Sequence, residues 1–305
     1  MNKKILVIFF VIVFIILSYF YLKFQADSAY IISQVRFPRF LLAFLSGFIL
    51  AGTGYTYQIM LNNPLAEPYI LGVSSGAAFG SILASTLSLF LFMPLFGFIG
   101  GLLTMFLVWK LGHWGRVFNK TRLLLSGIII GLFFSALISL IMYLNQQDIG
   151  SIINVLMGNL GHIFSNLEWN IFTGIFIISL GLMFYLFSLS KQLNILVTGD
   201  LVATSLGVDV ASLRKRIFII SSLLVGITVA YAGIIGFVGL VVPHLIRMIL
   251  GGNKPYSIFI SAFAGAFLLI LCDFVAMHIA VIEIPVGTIT AFIGCPFFII
   301  ILLKK

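Results

Sequence analysis

LLLSGIIIGLFFSALISLIMYL, from Leu123 to Leu144, decides the class of fold, because it contains no charged side chain and is as long as a bilayer crossing. A span needs about 20 mostly apolar residues to cross the hydrocarbon core. Read outward from this stretch, the chain repeats the pattern almost end to end. Further apolar runs occupy 5–22, 40–61, 69–90, 94–111, 169–189, 217–232, 234–251, 257–280 and 285–303. With 62% hydrophobic and 8% charged residues, the sequence falls far below the roughly 25% charge that a water-facing surface requires. The expected fold is therefore all-α, an integral membrane protein of about ten transmembrane helices. It is read as one polytopic domain over residues 1–305, with a cytoplasmic loop at about 190–216.

Charge sets the orientation. The net charge of +9 does not form a nucleic-acid patch, since the basic residues stand singly between apolar runs. With the N-terminus inside and ten spans alternating, all of the 17 lysines and arginines except Lys23, Arg36 and Arg39 fall on the cytoplasmic side. The positive-inside rule thus puts both termini in the cytoplasm. Met1-Asn-Lys-Lys4 precedes an apolar run up to Leu22, longer than a signal peptide's and without its small-residue cleavage site, so it reads as a retained first span. Cys272 and Cys295 lie in apolar stretches without metal-ligand spacing and read as small packing residues.

Small residues recur every four positions in several spans: Gly72, Gly76, Gly80 and Ala84; Gly127, Gly131, Ser135 and Ser139; Gly287, Ala291 and Cys295. Such stripes let helix backbones approach closely in lipid, and they can equally line a wide pathway. Two connections are long. Residues 145–168, outside, hold Asp148, His162 and Glu168 but no lysine or arginine. Residues 190–216, inside, read as two short helices, with Asp200 in the first turn of one, Gly207 ending it and Asp209 capping the next. Leu201, Val202, Leu206, Val208 and Leu213 give this segment apolar surface that either a partner or the membrane interface would cover.

No catalytic constellation is present, so no enzymatic activity and no cofactor are expected. His113, His162, His244 and His278 are far apart, and neither an HExxH motif nor a GxxxxGK[ST] loop occurs. Of the eight acids, only Asp273 lies well within a span, with Glu67 and Glu283 near ends. Asp273 reads either as a hydrogen-bond partner between helices or as the coupling site of an ion-driven transporter. A large helical protein without its own energy source suggests a subunit driven by a separate motor.

Four strings, in order, carry a resemblance. Arg36-Phe-Pro-Arg39 is followed by Asn63-Pro-Leu-Ala-Glu-Pro-Tyr-Ile-Leu-Gly-Val-Ser-Ser-Gly76; Gly236-Phe-Val-Gly-Leu-Val-Val-Pro-His-Leu-Ile-Arg247 stands later, then Pro285-Val-Gly with Gly294-Cys-Pro-Phe297. From about residue 30 to its end, the chain resembles the FecCD-type permeases of bacterial importers for iron-siderophore, haem and cobalamin. The resemblance implies a type II ABC importer permease in the bacterial cytoplasmic membrane. It would pair as a homodimer or with a close paralogue, with two cytoplasmic ATPase subunits inside and a substrate-binding protein outside. Iron-siderophore is the expected cargo, with haem or cobalamin as alternatives. An ion-coupled secondary transporter using Asp273 is the competing class.

The resemblance also implies roles for single residues. Asn63 and Leu65, and separately Thr121 before Arg122-Leu-Leu-Leu, would form cytoplasmic constrictions, although Asn63-Pro64 also reads as a plain helix stop. Gly199-Asp-Leu-Val-Ala-Thr-Ser-Leu-Gly207 is similar to the family's GEExAxxLG pattern. Gly199, Asp200, Leu206 and Gly207 would therefore couple to the ATPase, with Leu201 replacing the second acid. Arg36 and Arg39 would receive the binding protein. Many relatives carry an arginine in a DxxAR-like string, where this chain reads Asp273-Phe-Val-Ala-Met277-His278, so His278 is the expected substitute. His244 and Arg247 match the family's PHxxR; Arg247 is expected to snorkel to the cytoplasmic interface.

Overall fold

The computed structural model describes residues 3–24, 28–113, 119–146, 149–252, 254–280 and 282–303. Arg116, Asp148 and the terminal residues Met1, Asn2, Lys304 and Lys305 lie outside the described residues. The elements run α1 (Lys3–Lys23), α2 (Ala29–Ile31), α3 (Phe37–Leu61), α4 (Val73–Thr86), α5 (Met93–Gly112), α6 (Lys120–Leu144), α7 (Ile149–Met157), α8 (Asn166–Ser188), α9 (Ser190–Leu196), α10 (Asp200–Ser205), α11 (Val210–Ala232), α12 (Val238–Leu250), α13 (Ser257–His278) and α14 (Val286–Leu303). A π-turn, Ile32–Arg36, joins α2 to α3 without a break. Each of the ten apolar runs contains a helix. Six continuous helical stretches, Ala29–Leu61, Phe90–Gly112, α6, α8, α11 and α13, are long and apolar enough to cross a membrane.

α3 is the central post. Nearly every side chain from Leu42 to Leu61 is buried, against α13 on one side and α11 and α12 on others. Its antiparallel register with α13 is fixed at three levels: Arg39 beside Asp273, Gly47 beside Gly265, and Ala51 accepting from Ser261 Oγ at 3.3 Å. At the middle level the backbones are so close that a Cβ on either glycine would run into the other's carbonyl. Without a hydrophobic driving force between helices in lipid, contact at this range is what holds them. The stripe of α4 does the same work, Gly76 and Gly80 packing against Gly100 and Phe96–Gly97 of α5.

Two expected runs and one loop differ from the observed elements. The 69–90 run breaks at Gly72, whose φ is +73°, and α4 begins only at Val73. Its 14 residues rise about 21 Å, short of the roughly 30 Å hydrocarbon core. The 234–251 run starts as non-helical chain, with Phe237 at φ +69°, and α12 begins at Val238. Non-helical backbone inside a bundle must find partners other than water. Here Ile234 N–H donates to Val155 O at 3.1 Å, Ile235 N–H to the Tyr69 hydroxyl at 3.1 Å and Phe237 N–H to Glu67 Oε1 at 2.7 Å. Finally, the 190–216 loop is shorter than read. Asp209 Oδ1 accepts from Ser212 N–H at 3.0 Å and caps α11 itself, so 210–216 are the first turns of a spanning helix.

Candidate functional site

The sequence singled out residues at both ends of the bundle, and the structure separates them cleanly. At one end, α3 begins beside the end of α13. The Arg39 guanidinium grips Asp273 with two bonds, Nε to Oδ2 and Nη2 to Oδ1, both 2.9 Å, and gives Nη1 to Glu283 Oε2 at 2.7 Å. The Tyr21 hydroxyl of α1 donates to the same Oδ2. Asp273 is wholly buried and Arg39 is 5% exposed. Arg39 therefore does not stand on an outer rim, as the sequence led us to expect; it staples α1, α3, α13 and the turn before α14. A lone arginine at a helix start and a lone aspartate in another apolar run carry no mutual signal until the fold brings them together. With both its oxygens taken by this arginine, Asp273 is a helix-packing partner rather than an open ion site.

Arg36, one turn earlier, is half-buried and donates Nη1 to Met277 Sδ at 3.2 Å. A thioether is a weak acceptor, so this guanidinium keeps most of its hydrogen-bonding capacity. His278 follows Met277 but is held between Phe24 and Phe274, with Nδ1 2.7 Å from Phe274 O. On the same end, His162 lies 3.7 Å from Glu168. Burial lowers its pKa, and the Glu168 carboxylate opposes that shift.

Nearer the other end is a polar joint of which the sequence singled out only Arg247, and not its partner Gln58. Pro243 sits inside α12 and has no N–H for the carbonyl of Gly239 four residues back. Gln58 of α3 replaces the missing donor: its Nε2 reaches Gly239 O and Leu240 O, each at 3.3 Å. Its Oε1 accepts from Arg247 Nη2, and the Arg247 guanidinium also lies 5.7 Å from the centre of the Tyr55 ring. Arg247 therefore locks α12 to α3 rather than snorkelling freely. The legible signal was the proline itself, which guarantees an orphan carbonyl within an apolar run.

At this end α3 stops on Asn62, whose φ is +50°. Asn63 Oδ1 accepts from Leu65 N–H at 2.9 Å, forming a tight turn that leaves Leu65 exposed. Thr121 is exposed in the first turn of α6, which Asn119 caps through Arg122 N–H. Among the described residues, no hydrogen bond joins Thr121 to the Asn63–Leu65 turn.

The 199–207 segment takes the expected form. Gly199 has φ +111°, α10 follows, and Gly207 has φ +82°. Val208 N–H donates to Ala203 O and Gly207 N–H to Thr204 O, both 3.0 Å, which is a Schellman closure needing a left-handed residue at Gly207. Leu201 (89% exposed), Val202 and Leu206 point outward, whereas Val208 and Leu213 are buried. Asp200 accepts from Arg214 Nη2 at 2.6 Å and lies 3.7 Å from Lys120 Nζ. The Arg214 bond, helped by Lys120, holds its carboxyl below the usual aspartate range.

Comparison with known proteins adds the following. A model of the FecCD transport family matches residues 5–304. The chain is 37% identical over 283 residues to the hemin transport system permease HmuU of Yersinia pestis, covering 89% of this chain and 83% of that protein. It is 38% identical over 284 residues to the molybdate import permease MolB of Haemophilus influenzae, covering 90% and 81%. A solved structure described as an inward-facing conformation of a proposed metal-chelate type ABC transporter superposes with TM-score 0.88 at 32% identity, covering both chains completely. The PsaBC complex of Streptococcus pneumoniae, at 18% identity and TM-score 0.56 over 86% of this chain and 89% of that one, shares the fold.

Proposed function

The chain belongs to the FecCD transport family, and on that premise we propose that it carries an iron chelate, a siderophore complex or haem, across the bacterial cytoplasmic membrane. Its class is the permease subunit of an ABC importer, with the type II permease fold. Two copies, or one copy and a close paralogue, enclose the pathway. Two ATPase subunits bind at the end carrying α10, and a substrate-binding protein docks at the end carrying Arg36. ATP is hydrolysed by the partner, since this sequence has no phosphate-binding loop. Both termini are assigned to the cytoplasm, a reading that the distribution of lysine and arginine supports.

The observation that carries this reading is the family match from residue 5 to residue 304, with a hemin permease among the relatives. Placement supports the proposed residue roles. Leu201, Val202 and Leu206 offer an apolar face on a short helix braced by Asp200 and closed by Gly207. Thr121 and the Asn63–Leu65 turn stand exposed near the same end and are assigned as constrictions of the pathway. An ion-coupled transporter finds little support, because its candidate carboxylate, Asp273, is bound on both oxygens.

Reconstitution with the cognate ATPase and binding protein tests the proposal. ATP-dependent uptake of a ferric siderophore or hemin into vesicles is expected. Uptake of molybdate or cobalamin alone would retain the importer and overturn the iron cargo. Uptake driven by a proton or sodium gradient without ATP would overturn both.

A further inference from the structure

One carboxylate joins the proposed ATPase dock to the proposed gate. Asp200 opens α10, whose outward face is the dock, and its Oδ1 is shared between two cations from two other helices. Arg214 of α11 holds it at 2.6 Å from a nearly buried position, its side chain 6% exposed. Lys120 of α6 stands 3.7 Å away with its side chain 34% exposed, and the next residue is Thr121. The two contacts differ in kind. The Arg214 bond is short and sheltered, so it fixes α10 to α11 as a pivot. The Lys120 contact is longer and partly in water, where ion pairs form and part at little cost.

A helix of six residues has too few hydrogen bonds to hold its own position and goes where its anchors take it. We propose that Asp200 is a positioning residue that transmits movement of the docked ATPase to the start of α6, with the Lys120–Asp200 pair as the contact that changes between states. This inference rests on the reading of α10 as the dock and Thr121 as the gate. A merely structural pair would brace the loop equally in every nucleotide state, so the state dependence is what must be measured.

The test uses the full complex with its ATPase in lipid nanodiscs. Thr121→Cys, in a Cys272→Ala, Cys295→Ala background, reports the gate through its rate of modification by a water-soluble methanethiosulfonate. Rates are compared between the nucleotide-free and the vanadate-trapped complex. The expected ratio of rates is about fivefold or more, the lower end of ordinary coupling between sites. Adding Lys120→Gln should collapse the ratio to about one while the ATPase stays bound and traps vanadate as before, and Lys120→Arg should restore it. An unchanged ratio in Lys120→Gln overturns the transmission role. A parent complex that traps vanadate with no change at Thr121 overturns the gate assignment and the inference together. Failure of the ATPase to bind at all overturns the importer reading itself, which the co-purification step detects separately.

Discussion

The two ends of the bundle each hold a three-member ion cluster, an arginine between two acids at one and an aspartate between two cations at the other, yet they are built for different purposes. At the Arg39 end, the aspartate is fully buried and the guanidinium meets it through two parallel bonds. At the α10 end, the Asp200 side chain is 46% exposed and its two cations lie at unequal distances. A desolvated pair is costly to form and costlier to split, since either partner alone becomes an uncompensated buried charge. A half-hydrated pair can exchange its partner for water. Identical residue types thus give a staple where water is excluded and an adjustable contact where it is not.

The largest effect should come from breaking the staple. Asp273→Ala leaves Arg39 buried without its main counter-charge and should cost about 3–5 kcal/mol. Glu283→Gln changes a carboxylate that is 57% exposed and should cost under about 1 kcal/mol. Thermal unfolding of the detergent-purified protein would rank them. Equal losses would remove the distinction between dry and wet partners. The double change Arg39→Met, Asp273→Leu should regain most of the loss, because it removes both charges at once.

An intermediate effect is expected at the polar joint between the two ends. Gln58→Leu keeps the bulk but removes the donor to Gly239 O and the acceptor for Arg247. Leaving a buried carbonyl unsatisfied costs about 1–3 kcal/mol. The loss should be local, appearing as faster hydrogen exchange over α12 and not over α4 and α5. Uniformly faster exchange would mean that the joint supports the whole bundle.

A smaller effect on stability, with a larger one on coupling, is expected of Gly207→Val. The left-handed region costs an L-residue about 1–2 kcal/mol, and Gly207 is held at φ +82° by the closure of α10. The complex should still assemble, but stimulation of the ATPase by the binding protein should fall. Normal stimulation would make α10 a passive linker.

Much of this was legible in the sequence, for identifiable reasons. The all-helical membrane class followed from composition, because lipid tolerates few charges. The 199–207 closure was legible because glycine and aspartate signal turns through local geometry, which needs no knowledge of distant chain. What the sequence hid was non-local. Arg39 read as an exposed arginine because its partner lies 234 residues away in the chain. The break at Gly72 and the non-helical 233–237 segment were hidden by hydropathy, since a buried non-helical stretch is as apolar as a span. Two of its N–H groups find their acceptors in Glu67 and Tyr69, which read as span-end residues until the fold placed them.

The smallest expected effect on stability, and the sharpest test of the comparison, concerns Arg36. It shares a string with Arg39 and lies one turn away, but it is half-buried and bound to a thioether rather than a carboxylate. The staple therefore ends at Arg39, and Arg36 is the cation proposed to meet the binding protein. A charge at the rim of an interface acts mainly on the encounter rate, through long-range attraction that salt screens within about 10 Å at 0.1 M. Arg36→Glu should leave the unfolding midpoint unchanged and slow association with the binding protein by about tenfold at low salt, the low end of the range seen within one interface. The difference should shrink as salt is added, while dissociation stays the same. Stopped-flow association across a salt series, alongside a thermal scan, separates the outcomes. A lowered midpoint with unchanged association would assign Arg36 to the staple, and the division between buried clamp and free rim at this end would fail.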